Sequence, residues 1–190
     1  MASTFALIGT ASVLSGILGD LNTQLNAMVQ HSGFSPAIAG IAFSCISAGL
    51  FAGKIFLGWI RDKSDGRRAV LAGCGIGVVA FLGLAIALHG GSIVLLYAGS
   101  ALAGFCSCLG TVVPALLCAG TYAGEEYAKA VSRATSLCNL GMAVGAPAYS
   151  LTYDLTGSYV PVVAALLAVA VLCAAVSLLL MRRMQLPDVS

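Results

Sequence analysis

The sequence predicts an all-α membrane protein, a bundle of six transmembrane helices, and three observations carry that expectation. Apolar residues make up 59% of the chain and charged residues 8%, against a charged share of about 25% in soluble domains. The mean hydropathy is +1.01. The apolar residues fall into six stretches, each near the ~20 residues that cross a bilayer. Finally, six of the chain's sixteen charged side chains lie within residues 61–68. Such a cluster does not lie in hydrocarbon, where each Arg, Lys or Asp at mid-depth costs several kcal/mol. A soluble chain of 190 residues could bury a core, but this one has too few polar residues to cover it.

The first span is placed at about 5–29. No Lys or Arg precedes Lys54, so the stretch lacks the basic lead of a secretory signal and reads as a retained span. The second span, about 36–60, opens at Ser35-Pro36, a capping residue followed by proline in the first turn. The third, about 68–88, ends at His89-Gly90-Gly91. It connects almost without a loop to the fourth, about 92–119, so the two form an antiparallel hairpin. The fifth, about 128–152, and the sixth, about 159–181, are separated by the break Thr156-Gly157-Ser158. Pro114 and Pro147 remove backbone hydrogen bonds inside the fourth and fifth spans and are expected to kink them.

Charge fixes the orientation. Arg61, Lys63, Arg67 and Arg68 follow the second span, Lys129 and Arg133 open the fifth, and Arg182 and Arg183 follow the sixth. The alternate loops contain no Lys or Arg, so both termini are expected in the cytoplasm. Net charge is only +2 and the basic residues track topology, which excludes a nucleic-acid partner. The protein is read as multi-pass and integral, in a plasma or inner membrane, with the lipid bilayer as its first partner.

Seven cysteines fall within predicted helices without CxxC spacing, and they read as small apolar packing residues. His31 and His89 both fall at predicted outer loops. No metal site, cofactor or catalytic constellation is expected, and no enzyme activity. Trp59, at a membrane boundary, suits an interfacial anchor. Gly49-xxx-Gly53, Gly73-xxx-Gly77 and Gly141-xxx-Gly145 each place two glycines on one helix face, and Ser100-xxx-Gly104 is a weaker version. Such faces bring helix backbones close; smooth faces would also let helices slide during gating.

The charged segment runs Gly58-Trp59-Ile60-Arg61-Asp62-Lys63, then Ser64-Asp65-Gly66-Arg67-Arg68. Its Gly-x-x-x-Asp-Lys and Gly-Arg-Arg pattern resembles the loop signature of the major facilitator superfamily of secondary transporters. The glycine-rich stretch Asn139-Leu140-Gly141-Met142-Ala143-Val144-Gly145-Ala146-Pro147, followed by Tyr153-Asp154-Leu155-Thr156-Gly157-Ser158-Tyr159, looks like that family's penultimate helix and outer turn. Ser32-Gly33-Phe34-Ser35-Pro36-Ala37 is similar to its carboxylate-transporting branches, the oxalate–formate and monocarboxylate carriers. The resemblance covers nearly the whole chain, but only as the C-terminal half of a twelve-helix fold. Ser64 and Asp65 are two residues where the family pattern has one, which shifts Arg67-Arg68 relative to Asp62.

The resemblance implies transport of a small solute by alternating access, with a second six-helix bundle supplied by a separate N-terminal half or a parallel homodimer. It implies a gating loop of Gly58, Arg61, Asp62, Lys63, Gly66, Arg67 and Arg68, in which the Asp62 carboxylate holds the positive end of a neighbouring helix. The competing reading of the loop is a solvated topology signal. Independently of the family, Asp20 lies near mid-depth in the first span, flanked by Asn22, Thr23 and Gln24. Membrane carboxylates are expensive and face a cavity or a partner. Asp20 could carry a proton, with Gln24 at i+4 on the same face; it could also make a buried hydrogen bond or mark a break at Gly19-Asp20. Asn22 and Asn139 are further pathway candidates, and Tyr149 and Tyr153 are placed toward the outer end. Lys54 reads as an anchor that snorkels to the interface. Against the transporter stands a non-transporting remnant or regulator of a full-size carrier.

Overall fold

The computed structural model describes residues 2–63, 66–119 and 121–185. Eight helices make six rods. They are α1 (Ala2–Gly19), α2 (Leu21–His31), α3 (Pro36–Lys63), α4 (Gly66–Gly90), α5 (Ile93–Ser107), α6 (Leu109–Ala119), α7 (Gly124–Thr156) and α8 (Val160–Gln185). α1 and α2 form one bent rod and α5 and α6 another. Five rods are long and apolar enough to cross a membrane: Thr4–His31, Pro36–Lys63, Arg68–Gly90, Ile93–Ala119 and Val160–Leu180. The protein is therefore an all-helical integral membrane protein, with α7 as its sixth rod.

α7 fails the hydropathy criterion for a physical reason. Its 33 residues extend about 50 Å at 1.5 Å per residue, well beyond the ~30 Å hydrocarbon layer. The first turns carry Glu125, Glu126, Lys129 and Arg133, all exposed. Farther along, three stripes run side by side. Ala130, Ala134, Cys138, Gly141, Gly145 and Tyr149 are buried. Ser132, Thr135, Asn139 and Ala143 form an exposed, small and mostly polar stripe. Leu140, Val144, Leu151 and Leu155 are exposed and apolar. One face thus packs, one suits lipid, and one suits neither.

The ends follow local chemistry. Ser35 Oγ accepts the Ile38 amide at 3.4 Å, which caps α3 ahead of Pro36. The breaks after α4 and α7 are closed by glycines with positive φ: Gly91 (68°) and Gly157 (67°), the latter donating its N–H to Tyr153 O at 2.7 Å. The helices run a few residues past the expected spans wherever no glycine or proline stops them, as α3 does to Lys63.

The rods form a bundle in which α6 also packs against α1 and α7. α3 packs on α5, α5 on α4, α4 on α8, α8 on α1, and α1 on α7, while α2 lies between α3 and α7, which have no substantial contact with each other. Three crossings bring backbones together. Gly49 on α3 abuts the Ala101 carbonyl, and Gly104 on α5 abuts the Ile46 carbonyl. Gly16 on α1 abuts the Cys138 carbonyl, and Gly141 on α7 abuts that of Val13. Gly19 and Gly110 meet where α1 crosses α6. In lipid, where apolar burial between helices gains little, this fit holds the bundle together.

Candidate functional site

The first rod bends at Asp20, whose backbone stands at φ −79° and ψ −7°. Polar residues next to a glycine offer the chain local alternatives to the helical ladder. The Asp20 amide still bonds Gly16 O at 3.2 Å, but the next bond across the joint is Thr23 N–H to Asp20 O at 3.1 Å. Side chains serve the three carbonyls that the tightened turn leaves behind. The Tyr149 hydroxyl on α7 donates to Ile17 O. Ser107 Oγ on α5, which donates to Ala103 O at 2.9 Å, shares that hydrogen with Leu18 O at 3.4 Å, and Asn22 Nδ2 reaches Gly19 O at a long 3.5 Å. The bend is thus held by side-chain donors from two other rods as well as its own.

Asp20 itself points at α7. Thr23 Oγ1 donates to its Oδ1 at 3.3 Å and to its carbonyl at 2.8 Å. The Ala146 amide acts on the carboxyl, yet Oδ2 is buried without a hydrogen-bond partner. Asn22 Oδ1 is likewise buried and unpartnered. Orphaned buried oxygens are uncommon and call for an explanation. Gln24, expected to share Asp20's face, is half-buried and makes no bond to it, because the tightened turn brings Thr23 there instead. Asn139 lies on the exposed stripe of α7, away from Asp20. Asn26 and Gln30 line the outward face of α2, joined by a 2.9 Å hydrogen bond.

At the C-terminal end of α2, His31 meets Tyr153 edge-on at 4.8 Å and Tyr159 at 6.0 Å, and the two phenols stack at 4.4 Å. Burial, with Tyr153 and Asp154 adding to it, pushes the Tyr159 phenol above its ordinary value. It therefore stays neutral. An apolar groove of about 380 Å³, lined by Phe5, Gly9, Thr10, Val13 and Leu137 among others, lies between α1 and α7 and does not reach Asp20.

The expected gating loop is partly placed. Arg61, Asp62 and Lys63 end α3 and are exposed, as is Arg68 on α4. Gly58 has open space where a Cβ would stand. Lys63 Nζ lies 4.3 Å above the Trp59 ring, which also stacks on Phe56 at 6.0 Å. Ser64, Asp65 and the side chain of Arg67 lie outside the described residues, as do the side chains of Arg182 and Arg183. Lys54 is exposed about 13 Å inside the end of α3. It shares a stripe with Gly40, Ser44, Ser47 and Phe51, all exposed.

Of the glycine pairs, Gly49 and Gly53 face α5, and Gly141 and Gly145 face α1 and Asp20. Gly73 and Gly77 instead face the side chains of Leu109 and Cys106. Pro147 lies within a continuous α7. Pro114 has no N–H for the Gly110 carbonyl, and there the Cys138 thiol donates to Gly110 O at 2.8 Å. Cys138 is therefore more than apolar filling. No sequence spacing links residues 110 and 138; the only signal was the proline four residues after Gly110. Cys138→Ala is expected to cost about 1–2 kcal/mol by orphaning that carbonyl, with Cys138→Ser retaining most of it, both read from melting in detergent.

The family model described as Major Facilitator Superfamily matches residues 1–189. The match is to the superfamily as a whole and supports no carboxylate branch within it. No curated protein matches the chain.

Proposed function

Because the chain belongs to the major facilitator superfamily, whose members are transporters, we propose that it moves a small solute by alternating access, paired with a second six-helix bundle. The observation that carries this reading is the braced bend at Asp20, with a buried carboxylate oxygen, Oδ2, that makes no hydrogen bond among the described residues. Such an oxygen suits a proton or a hydrogen-bond donor that comes and goes. A remnant or scaffold gains nothing from that expense.

Two further features support a second bundle. The stripe of α3 with Gly40, Ser44, Ser47, Phe51 and Lys54, and that of α7 with Ser132, Thr135, Asn139 and Ala143, are exposed and more polar than a lipid-facing stripe such as Leu140, Val144, Leu151 and Leu155. α3 and α7 have no substantial contact with each other, and α2 lies between them. A two-fold axis along the membrane normal, as relates the halves of this superfamily, sets α3 of one bundle against α7 of the other. Asp62, at the cytoplasmic end of α3, then faces a helix of the partner.

The second bundle is an N-terminal half, in the same polypeptide or a separate one, or a second copy of this bundle. Ser47 stands 11 residues from the Pro36 end of α3 and Ala143 stands 13 from the Thr156 end of α7, so Ser47→Cys and Ala143→Cys, placed on differently tagged copies, crosslink in a homodimer. With an N-terminal half, the crosslink between copies is absent, and solute uptake into vesicles appears only on co-expression of that half. Absence of both crosslink and uptake, with either partner, sinks the transporter reading in favour of a regulator or remnant.

A further inference from the structure

Gly145 on α7 stands beside two oxygens, Asp20 Oδ2 of the first rod and Tyr149 Oη of α7 itself. A Cβ built there would stand 3.2 Å from Asp20 Oδ2 and 3.4 Å from Tyr149 Oη. The missing methyl leaves a gap bounded by both. The Tyr149 hydroxyl hydrogen is already committed to the Ile17 carbonyl, so across this gap the phenol oxygen can only accept. An ionised Asp20 has nothing to give it. A protonated Asp20 does.

We propose that Tyr149 is a positioning residue for a proton on Asp20: Oδ2–H donates to Tyr149 Oη across the gap at Gly145, while Tyr149 keeps its own hydrogen on Ile17 O. This rests on the reading of Asp20 as a proton carrier and names the group that receives the bound proton's hydrogen bond. Proton uptake then completes a chain from Oδ2 through Oη to the carbonyl that the bend exposed, so loading stiffens the joint between α1 and α2. Proton release returns Oδ2 to its orphaned state and loosens it.

The surroundings leave little else to play this part. On its own rod Asp20 meets Thr23, which already bonds Oδ1. On α7 it meets Gly145, the Ala146 amide and Tyr149. α5 and α6 approach the neighbouring Gly19 with Ser107 and Gly110, neither of them charged. Among the described residues, no Lys, Arg, His or second carboxylate acts on Asp20.

The test is infrared difference spectroscopy of the full chain in detergent, titrated with pH, following the carbonyl stretch of a protonated carboxylic acid. Asp20→Asn identifies the Asp20 band against the other carboxylates. Tyr149→Phe is expected to move that band to higher frequency and to disfavour protonation roughly fivefold, the worth of one hydrogen bond. Gly145→Ala does the same by wedging a methyl group between the two oxygens while leaving the Tyr149–Ile17 bond in place. It keeps the test alive if Tyr149→Phe misfolds. Tyr153→Phe, on the same helix but in the outer cluster, leaves the band alone. A band that Asp20→Asn removes but neither Tyr149→Phe nor Gly145→Ala moves overturns this inference and spares the carrier. If Asp20→Asn removes no band, the carrier reading falls and this inference with it.

Discussion

Adding one methyl group at Gly49 or Gly104 is expected to lower the melting temperature in detergent by about 6–12 °C. The estimate takes an overpacking cost near ~3 kcal/mol and about 2–4 °C per kcal/mol for a chain this size. Each new Cβ would run into a main-chain carbonyl across the α3–α5 crossing, Ala101 O for Gly49 and Ile46 O for Gly104. A backbone cannot swing aside as a side chain can, so the two rods must separate along their contact. Gly73→Ala meets only the Leu109 side chain, at 2.7 Å, and is expected to cost less. Gly40→Ala and Gly75→Ala meet nothing within 4 Å; there the loss of backbone freedom in the unfolded chain makes alanine neutral or slightly favourable. The reporter is built in. Cys74, Cys106, Cys118, Cys138 and Cys173 are buried, so a thiol-reactive dye records the opening of the bundle on heating. Equal melting of Gly49→Ala and Gly40→Ala would show that close backbone approach does not hold this bundle.

The same glycines show where sequence reading reaches its limit. Spacing places two glycines on one helix face, but not what that face meets. Gly49-xxx-Gly53 and Gly73-xxx-Gly77 look alike in the sequence, yet one lies on a backbone and the other on a leucine and a cysteine. The six rods were legible because membrane spans are set by length and hydropathy, and their ends by proline and glycine chemistry. α7 was legible as a helix even though it is too polar to be recognised as a span by composition alone. Asp20 stood out through its cost in hydrocarbon, and a break beside Gly19 was among the readings it allowed. What the sequence could not show is how that break is held. Tyr149 lies 132 positions from Ile17 and Ser107 lies 89 from Leu18, so their service to those carbonyls is a product of the crossings. Tyr149 looked like an outer lining residue; the crossing at Gly141 and Gly145 brings its hydroxyl inward onto the bend.

Asp20→Asn is expected to flatten the pH dependence of transport while leaving solute exchange in place. In the proposed mechanism, alternating access carries the bend between an aqueous and a closed environment. Carrying an ionised carboxylate through that change costs several kcal/mol of desolvation, and every 1.4 kcal/mol slows the step about tenfold. The neutral acid avoids most of that cost, so wild-type flux should rise as the pH on the loading side falls. Asparagine is neutral at every pH and nearly isosteric, so it crosses without a proton. A pH step that changes wild-type flux tenfold should then change that of the variant by less than about twofold. In vesicles holding the assembled transporter and a pH-sensitive dye, solute-driven proton entry should disappear, while counterflow of labelled solute continues. Loss of both activities would mean that Asp20 binds the solute itself, since its Oδ2 is then needed as an acceptor that an amide replaces poorly. Preserved proton entry would place the carrier elsewhere, and the orphaned oxygen at the bend would lose its claim on the mechanism. The measurement decides between these because the variant keeps the Thr23 contact with the Oδ1 position and the Tyr149 brace on Ile17. It alters only whether the position can hold a removable proton.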